Sequence, residues 1–458
     1  MTATSPASGS EAAIAALLNA PLDPEQAFIR GGATVGEVYG MASWLRAACG
    51  GWEERGVICL ATEDRAIIAA SLLASLAGGP VLLLPYAFSV QAFEGIRQAT
   101  GCTTVLADAS SAASLPAGFE IIQAHQGQTG PDLHLFPASP GEELLRLYTG
   151  GSTGAPRIWP KTGNNIFAEA FFLAHHFSVS NQDAIVATIS PNHIYGLLYS
   201  VVLPLVSGAA ILPQTPAFPD EIVRTVQEHK ATILVSVPVH YRALRGRGTL
   251  GASLRLAFSS AGMLDIEDNT EFCRHNEAGI VEIYGSTETG GIALRKQCRG
   301  EAGFTPYPTV EWTLVDQQLH IRSPYLSPGL PRDAAGFFVT GDRVDPCAPA
   351  GFQLRGRADS ITKVAGKRVD LEEIRVVIRE QPGVSDCVVL ALTDAGGREH
   401  RVVALVEGQF VDIKALRAVL ASRFEPYALP RAIKIIDHLP VKANGKFDRA
   451  AILRLFQL

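Results

Sequence analysis

The chain has few cysteines, and none stand in a C-x-x-C pair. Its seven (Cys49, Cys59, Cys102, Cys273, Cys298, Cys347 and Cys387) are scattered. An odd, unclustered set argues against a disulfide framework or a zinc site and reads as reduced thiols in a cytoplasmic protein. An excess of basic charge is also lacking. Lys and Arg total 39 against 45 Asp and Glu, a net charge of −6, which gives no electrostatic case for nucleic acid or an anionic membrane. There is no long apolar run, because the most apolar segment, Ala66 to Leu84, is broken by Gly78-Gly79-Pro80; no membrane span is expected. Met1 to Glu11 is Ser/Ala-rich without basic residues or an apolar core, so no signal peptide is expected. A Walker A sequence is missing too. Gly154 is followed by Ala155-Pro156-Arg157 where that pattern needs Gly-Lys-Ser/Thr, which argues against a P-loop NTPase.

What is present suits a well-buried globular protein, with 47% apolar and 18% charged residues. At 458 residues it should hold two or more domains. From Val57 onward, short apolar runs alternate with helical patterns. Expected strands are Val57–Ala61, Val81–Leu84, Thr104–Ala107, Leu144–Tyr148, Ala184–Ile189, Ala209–Leu212, Thr232–Val235, Leu254–Ser259 and Ile280–Tyr284. Arg65–Leu76, Asn165–His176 and Glu221–His229 read as helices. This alternation indicates an α/β fold of parallel-rich sheets with flanking helices, in which ligands sit at the carboxyl ends of strands. After Thr313 come short alternating strands, then from Leu371 a compact α+β pattern. The charged turn Gly356-Arg357-Ala358-Asp359 places a boundary between a large N-terminal domain, 1–358, and a small C-terminal one, 359–458.

One loop stands out. Tyr148-Thr149-Gly150-Gly151-Ser152-Thr153-Gly154-Ala155-Pro156-Arg157 follows an expected strand. Its glycines permit close backbone approach, and its hydroxyls and N–H groups make an anion cradle, although ordinary surface loops share this composition. Five further segments follow in order: Tyr284-Gly285-Ser286-Thr287-Glu288-Thr289, Thr340-Gly341-Asp342, Gly356-Arg357-Ala358-Asp359, Gly366-Lys367-Arg368-Val369 and Asn444-Gly445-Lys446. Each alone could be a turn or a solvated surface.

Together, in this order and spacing, the six resemble the adenylate-forming (AMP-binding) superfamily, which includes acyl- and aryl-CoA synthetases and acyl-carrier-protein ligases, over roughly Val57 to Arg449. The resemblance implies a small β-barrel-like part within the large domain and a mobile C-terminal domain. It implies that Thr149, Ser152, Thr153 and Gly154, with Gly151 and Arg157 in the same loop, hold the β- and γ-phosphates of ATP. Tyr284 would stack on adenine and Gly285 would allow close approach of nucleotide and acyl group. Thr287 would bond the α-phosphate and Glu288 would help hold Mg²⁺. Asp342 would accept the ribose hydroxyls, and Arg357 would contact ribose and phosphate. Lys446 would bridge the attacking carboxylate and the α-phosphate. Rotation about Asp359 would then withdraw Lys446 and bring the Gly366 segment to the site, opening a route for a pantetheine thiol.

The implied reaction is activation of a small carboxylic acid to an acyl-adenylate with release of pyrophosphate, then thioester formation on CoA or on the phosphopantetheine of an acyl carrier protein. A nucleotide-binding protein without chemistry is disfavoured by the presence of Glu288, Asp342, Arg357 and Lys446 together. In the family an aromatic residue gates the acid pocket where His193 stands, with Tyr195, Val237, Pro238, His240 and Gly262 as expected liners. No Asp is evident to anchor an α-amine, so an aryl or fatty acid is expected rather than an amino acid. Two departures are visible. Arg157 replaces the family's usual lysine, presenting a planar fork in place of a point charge, and Trp159-Pro160-Lys161-Thr162 is closer to compact carrier-protein ligases than to common CoA ligases.

Overall fold

Short runs of β-branched and aliphatic residues form buried strands, and the apolar helices between them cover the sheet faces. The computed structural model describes residues 6–19, 21, 23–48, 56–85, 87–130, 140–149, 157–297, 300–358, 361–364, 367–393, 400–441 and 447–456. Strands β1 (Val57–Ala61), β2 (Val81–Leu84), β3 (Thr104–Ala107), β4 (Glu120–Gln123), β5 (Glu143–Thr149) and β6 (Arg157–Thr162) form a sheet in the order β4-β3-β1-β2-β5-β6. All neighbours are parallel except β5 and β6. A second sheet has the order β13-β12-β11-β10-β9-β7-β8, from β7 (Ala184–Ala187), β8 (Ala210–Ile211), β9 (Ile233–Ser236), β10 (Leu256–Ser259), β11 (Ile280–Ser286), β12 (Gly290–Arg295) and β13 (Thr305–Pro306). Its strands from β8 to β11 pair parallel, and β12 and β13 add antiparallel.

The helix Arg65–Leu76 is buried at every residue, and Asp64 caps it by accepting from the N–H groups of Ala66 and Ile67. It touches β2 and β5 on one side and the π-helical turn Leu198–Val202 on the other, and that turn touches β7. Arg65, 4% exposed, donates to Ser200 Oγ at 3.2 Å and Thr215 Oγ1 at 2.9 Å, fastening the two sheets' helical layers.

Asp183 fixes the start of β7. It accepts from Arg255 Nη2 at 2.6 Å, Thr232 Oγ1 at 2.7 Å and the Ser180 N–H at 3.0 Å. Burial would raise its carboxyl, but Arg255 and these donors outweigh that and hold it below its ordinary value. The stability this contributes is present at neutral pH and is lost as pH falls below the ordinary aspartate range through the native value. Asp183→Asn is expected to lose about 2 kcal/mol at pH 7, the scale of charge-assisted bonds. In denaturant titrations the deficit should shrink as pH falls through that window.

The described chain forms two compact units, residues 1–311 with 322–331 and residues 312–321 with 332–458. In the second, β14 (Glu311–Val315), β15 (Gln318–Arg322), β16 (Phe338–Cys347) and β17 (Gly351–Arg357) make a four-stranded sheet in sequence order. A two-stranded ribbon follows, β18 (Ile361–Val364) and β19 (Lys367–Asp370). The last sheet is β20 (Val384–Thr393), β21 (His400–Gly408) and β22 (Ala432–Ile436). One of its faces packs Val402, Ala404 and Val406 against Ile374 and Ile378 of the helix Leu371–Arg379 and Leu416 and Leu420 of the helix Ile413–Arg423. Its other face packs Val403 and Leu405 against Ile452 and Phe456. Among the described residues no helix is long and apolar enough to cross a membrane.

Candidate active site

In the second sheet β7, β9, β10 and β11 run parallel as neighbours, so their carboxyl ends share one edge. The segments that leave those ends carry the sequence-predicted residues: His193 after β7, Val237, Pro238 and His240 after β9, Gly262 after β10, and the Tyr284–Thr289 segment at the end of β11.

That last segment is a hairpin. Gly285 pairs with Gly291 and Ser286 with Gly290, leaving Thr287, Glu288 and Thr289 as the turn. Ser286 Oγ and Thr289 Oγ1 lie 2.9 Å apart, and Ser286 N donates to Thr289 Oγ1 at 3.0 Å. The Glu288 carbonyl accepts from Ser327 N at 2.8 Å and from Lys161 Nζ at 3.2 Å. The backbone of the turn is thereby pinned while Thr287 and Glu288 stay partly exposed. Gly285 has no room for a side chain: a Cβ there would collide with the Gly290 carbonyl and reach 3.0 Å from Gly291 Cα. Gly285→Ala should splay the hairpin and lower stability by about 1–3 kcal/mol, the cost of overpacking, readable as a drop in Tm. The Tyr284 ring packs at 5.6 Å from Phe304, itself covered by the Arg295 guanidinium at 4.4 Å.

Under the hairpin lie two buried charges. Lys161, 1% exposed, is the penultimate residue of the β6 edge strand, and its Nζ also donates to the Tyr325 carbonyl at 2.8 Å. Glu169, 3% exposed, accepts from the Gly291 N–H at 2.8 Å. Burial pushes the Lys161 ammonium down, opposed by the negative charges of Glu169 and Glu288. Burial pushes the Glu169 carboxyl up, opposed by the Gly291 N–H and by Lys161.

At the other end of β6, Arg157 pairs with Thr149 across the β5–β6 hairpin, and Thr149 Oγ1 donates to the Arg157 carbonyl at 3.3 Å. The expected phosphate residues Gly151, Ser152, Thr153 and Gly154 lie outside the described residues, as do Asp359, Gly366 and Lys446. Thr149 and Arg157 stand as the two described flanks of the loop.

His193 caps the short helix Ile194–Leu197, whose Leu197 N–H bonds its carbonyl at 2.7 Å. Gly196 abuts the Ser190 carbonyl so closely that no Cβ fits. Asn192 Nδ2 donates to the Thr62 carbonyl at 3.1 Å, anchoring this segment to the first sheet. Beside it, Tyr195 OH donates to the Ser236 carbonyl at 3.1 Å. His240 Nδ1 sits 2.8 Å from Thr188 Oγ1 and 3.3 Å from Ser236 Oγ. Burial pushes the His240 pKa down.

In the second unit, Asp342 and Arg357 face each other on β16 and β17, carboxylate and guanidinium 3.7 Å apart. Asp342 N donates to Thr340 Oγ1 at 3.2 Å, and Thr340 Oγ1 donates to the Leu319 carbonyl at 2.9 Å. Gly341 lies against the Arg357 guanidinium, where a Cβ would collide.

Residues 37–331, more than half of the chain, match the family described as AMP-binding enzyme, and residues 373–446 match its C-terminal domain. The chain belongs to the AMP-binding enzyme family. Among relatives, it is 28% identical over 350 residues to an anthranilate–CoA ligase of Pseudomonas aeruginosa, covering 69% of this chain and 67% of that one. It is 28% identical over 301 residues to a 4-coumarate–CoA ligase of Rhodobacter capsulatus, covering 65% of this chain and 73% of that one. Its fold matches ATP-bound MatB from Rhodopseudomonas palustris with a TM-score of 0.83 at 19% identity, over 97% of this chain and 99% of that one.

Within this AMP-binding enzyme, sequence reasoning did not foresee the buried Lys161 and Glu169 beneath the hairpin. A signal was there for Glu169: it is the lone charge in the run Ile166-Phe167-Ala168-Glu169-Ala170-Phe171-Phe172-Leu173. Such a charge must either reach water or find partners inside.

Proposed function

We propose that this AMP-binding enzyme is an acid–thiol ligase that uses ATP to activate an aryl or fatty acid and transfers the acyl group to CoA. A carboxylate oxygen attacks the α-phosphorus of ATP, the bond to the β-phosphate oxygen breaks, and pyrophosphate leaves. The pantetheine thiol then attacks the acyl carbon, AMP leaves with the electron pair of the acyl–oxygen bond, and the thiol proton passes to solvent. The observation that carries this reading is the shared strand-end edge of β7, β9, β10 and β11, from which the segments bearing His193 and Tyr195, Pro238 and His240, and the Tyr284–Thr289 hairpin all leave.

Both reactants of the first step are anions, so charge must be neutralised where it concentrates. In the proposed roles, the loop flanked by Thr149 and Arg157 cradles the terminal phosphates and Tyr284 stacks on adenine. Thr287 donates to the α-phosphate, Asp342 accepts from the ribose, Arg357 contacts ribose and phosphate, and Lys446 bridges carboxylate and α-phosphate. The residues also fit Mg²⁺. Glu288 offers one partly exposed carboxylate, and among the described residues no cluster of three or more His, Cys, Asp or Glu could cage a metal. A lone carboxylate suits a cation held mainly by phosphate oxygens. When bound, Mg²⁺ supplies charge neutralisation along the triphosphate.

CoA is favoured over a carrier protein as acceptor because the anthranilate and 4-coumarate relatives are CoA ligases. The test offers CoA and a holo acyl carrier protein separately to enzyme, ATP and acid. Acyl-CoA is the expected product, and exclusive acylation of the carrier would overturn the choice.

A further inference from the structure

Lys161 joins three parts of the first unit. It stands on β6, four residues after Arg157 and about 13 Å along the strand from the mouth of the expected phosphate loop. Its Nζ donates to the Glu288 carbonyl in the hairpin turn and to the Tyr325 carbonyl in the strap 322–331. The strap returns the support: Ser327 N donates to the same Glu288 carbonyl, and Asn165 Nδ2 holds the Pro324 carbonyl at 2.7 Å. On the far side of the turn, Glu169 accepts from the Gly291 N–H. Gly290 and Gly291 press so closely on Glu169 that a Cβ on either would come within 2.6 Å of its oxygens. The hairpin is thus held by buried charged groups at the middle of its turn, Glu288, and at Gly291 on the returning strand.

A packing role alone would not select a charge here. An apolar side chain on β6 would fill the same space without the desolvation cost of an ammonium. What the ammonium adds is two directed bonds to carbonyls, one of them on the residue whose side chain is proposed to meet the metal.

We propose that Lys161 and Glu169 are positioning residues for adenylation, setting the Glu288 turn at a fixed height and register relative to the strand that bears the phosphate loop. The proposal rests on the adenylation reading above. Lys161 and Glu169 are buried and act through the backbone of residues 288 and 291, as outer groups that orient a ligand.

The test compares wild-type enzyme with Lys161→Met, which keeps length and volume but donates nothing, and Lys161→Gln, which keeps amide donors. Two readouts are taken on each: calorimetric ATP affinity with and without Mg²⁺, and acid-dependent ATP–pyrophosphate exchange resolved into kcat, the Mg²⁺ half-saturation and the KM for acid. In Lys161→Met the gain in ATP affinity conferred by Mg²⁺ is expected to shrink ~10-fold, and the half-saturating Mg²⁺ to rise ~10-fold, with the KM for acid within about twofold of wild type. Lys161→Gln should fall between the two. If Lys161→Met does not fold, Lys161→Gln carries the same comparison with a smaller expected shift, about threefold. A folded variant with wild-type Mg²⁺ dependence in both readouts, or one in which acid and Mg²⁺ parameters worsen equally, overturns the proposal. If wild-type enzyme shows no exchange with any acid, the adenylation reading fails, and the calorimetric arm alone then decides the anchoring.

Discussion

Lys446→Ala is expected to lower acid-dependent ATP–pyrophosphate exchange by ~10²–10³-fold, the cost of removing one electrostatic stabiliser from a reacting centre. The size follows from the charges. A carboxylate must approach a triphosphate, and in the proposed role the Lys446 ammonium bridges the two and offsets their repulsion at the bond that forms. In a site from which water is excluded that contact is stronger than in bulk solvent. Lys446→Arg should recover only part of the loss, since a planar guanidinium does not replace a compact ammonium between two oxygens. The thioester step, started from supplied acyl-adenylate, should change less than tenfold, because the proposed rotation about Asp359 withdraws the lysine before the thiol attacks. Steady-state exchange and single-turnover thioester formation measured on the same preparation separate these outcomes. Equal losses in both half-reactions would contradict the division of labour.

Glu288→Gln is the second large effect expected. The substitution keeps shape and removes only the charge. The turn's backbone is held through the Glu288 carbonyl by Ser327 and Lys161, and through Ser286 and Thr289 by their own hydroxyls, none of which uses the Glu288 carboxylate. Those bonds survive, so the fold should persist, with a modest drop in Tm because one of the two negative charges that offset the burial of the Lys161 ammonium is lost, while exchange falls ~10²-fold. Added Mg²⁺ should recover part of the activity, since a weakened ligand can be offset by mass action. A variant with normal exchange, or one whose loss follows a large drop in Tm, would remove Glu288 from the proposed metal role.

Much of the fold was legible because the buried parallel strands are short apolar runs with clear boundaries. β1, β2, β3 and the helix Arg65–Leu76 have the bounds expected from sequence. The return strands were not. β6 reads Arg157-Ile158-Trp159-Pro160-Lys161-Thr162, with a proline and two cations; it is tolerated because β6 ends the sheet and Pro160 needs no ladder donor there. β12 opens on Gly290-Gly291, which looks like a loop until the crowding against Glu169 and the pairing with Gly285 are seen. For the same reason β11 runs two residues past the expected Tyr284, since hairpin pairing carries Gly285 and Ser286 into the sheet. Ordered motifs of distinctive composition pointed to Tyr284, Thr287, Glu288, Asp342 and Arg357, although Thr340-Gly341-Asp342, expected as a turn after a strand, lies inside β16, where Asp342 pairs with Arg357. Lys161 belongs to no such motif, and Glu169 is marked only as the lone charge in an apolar run. They come from a mixed edge strand and the middle of a helix, and only the tertiary fold brings both under one turn.

The central claim is that the chain adenylates a carboxylic acid. The direct test is radiolabelled pyrophosphate exchange into ATP across a panel of aryl and fatty acids, with Mg²⁺ present. The account predicts exchange that requires both an acid and Mg²⁺, highest with an aryl or fatty acid and weak with amino acids. Binding of ATP without exchange for any acid in the panel would contradict it.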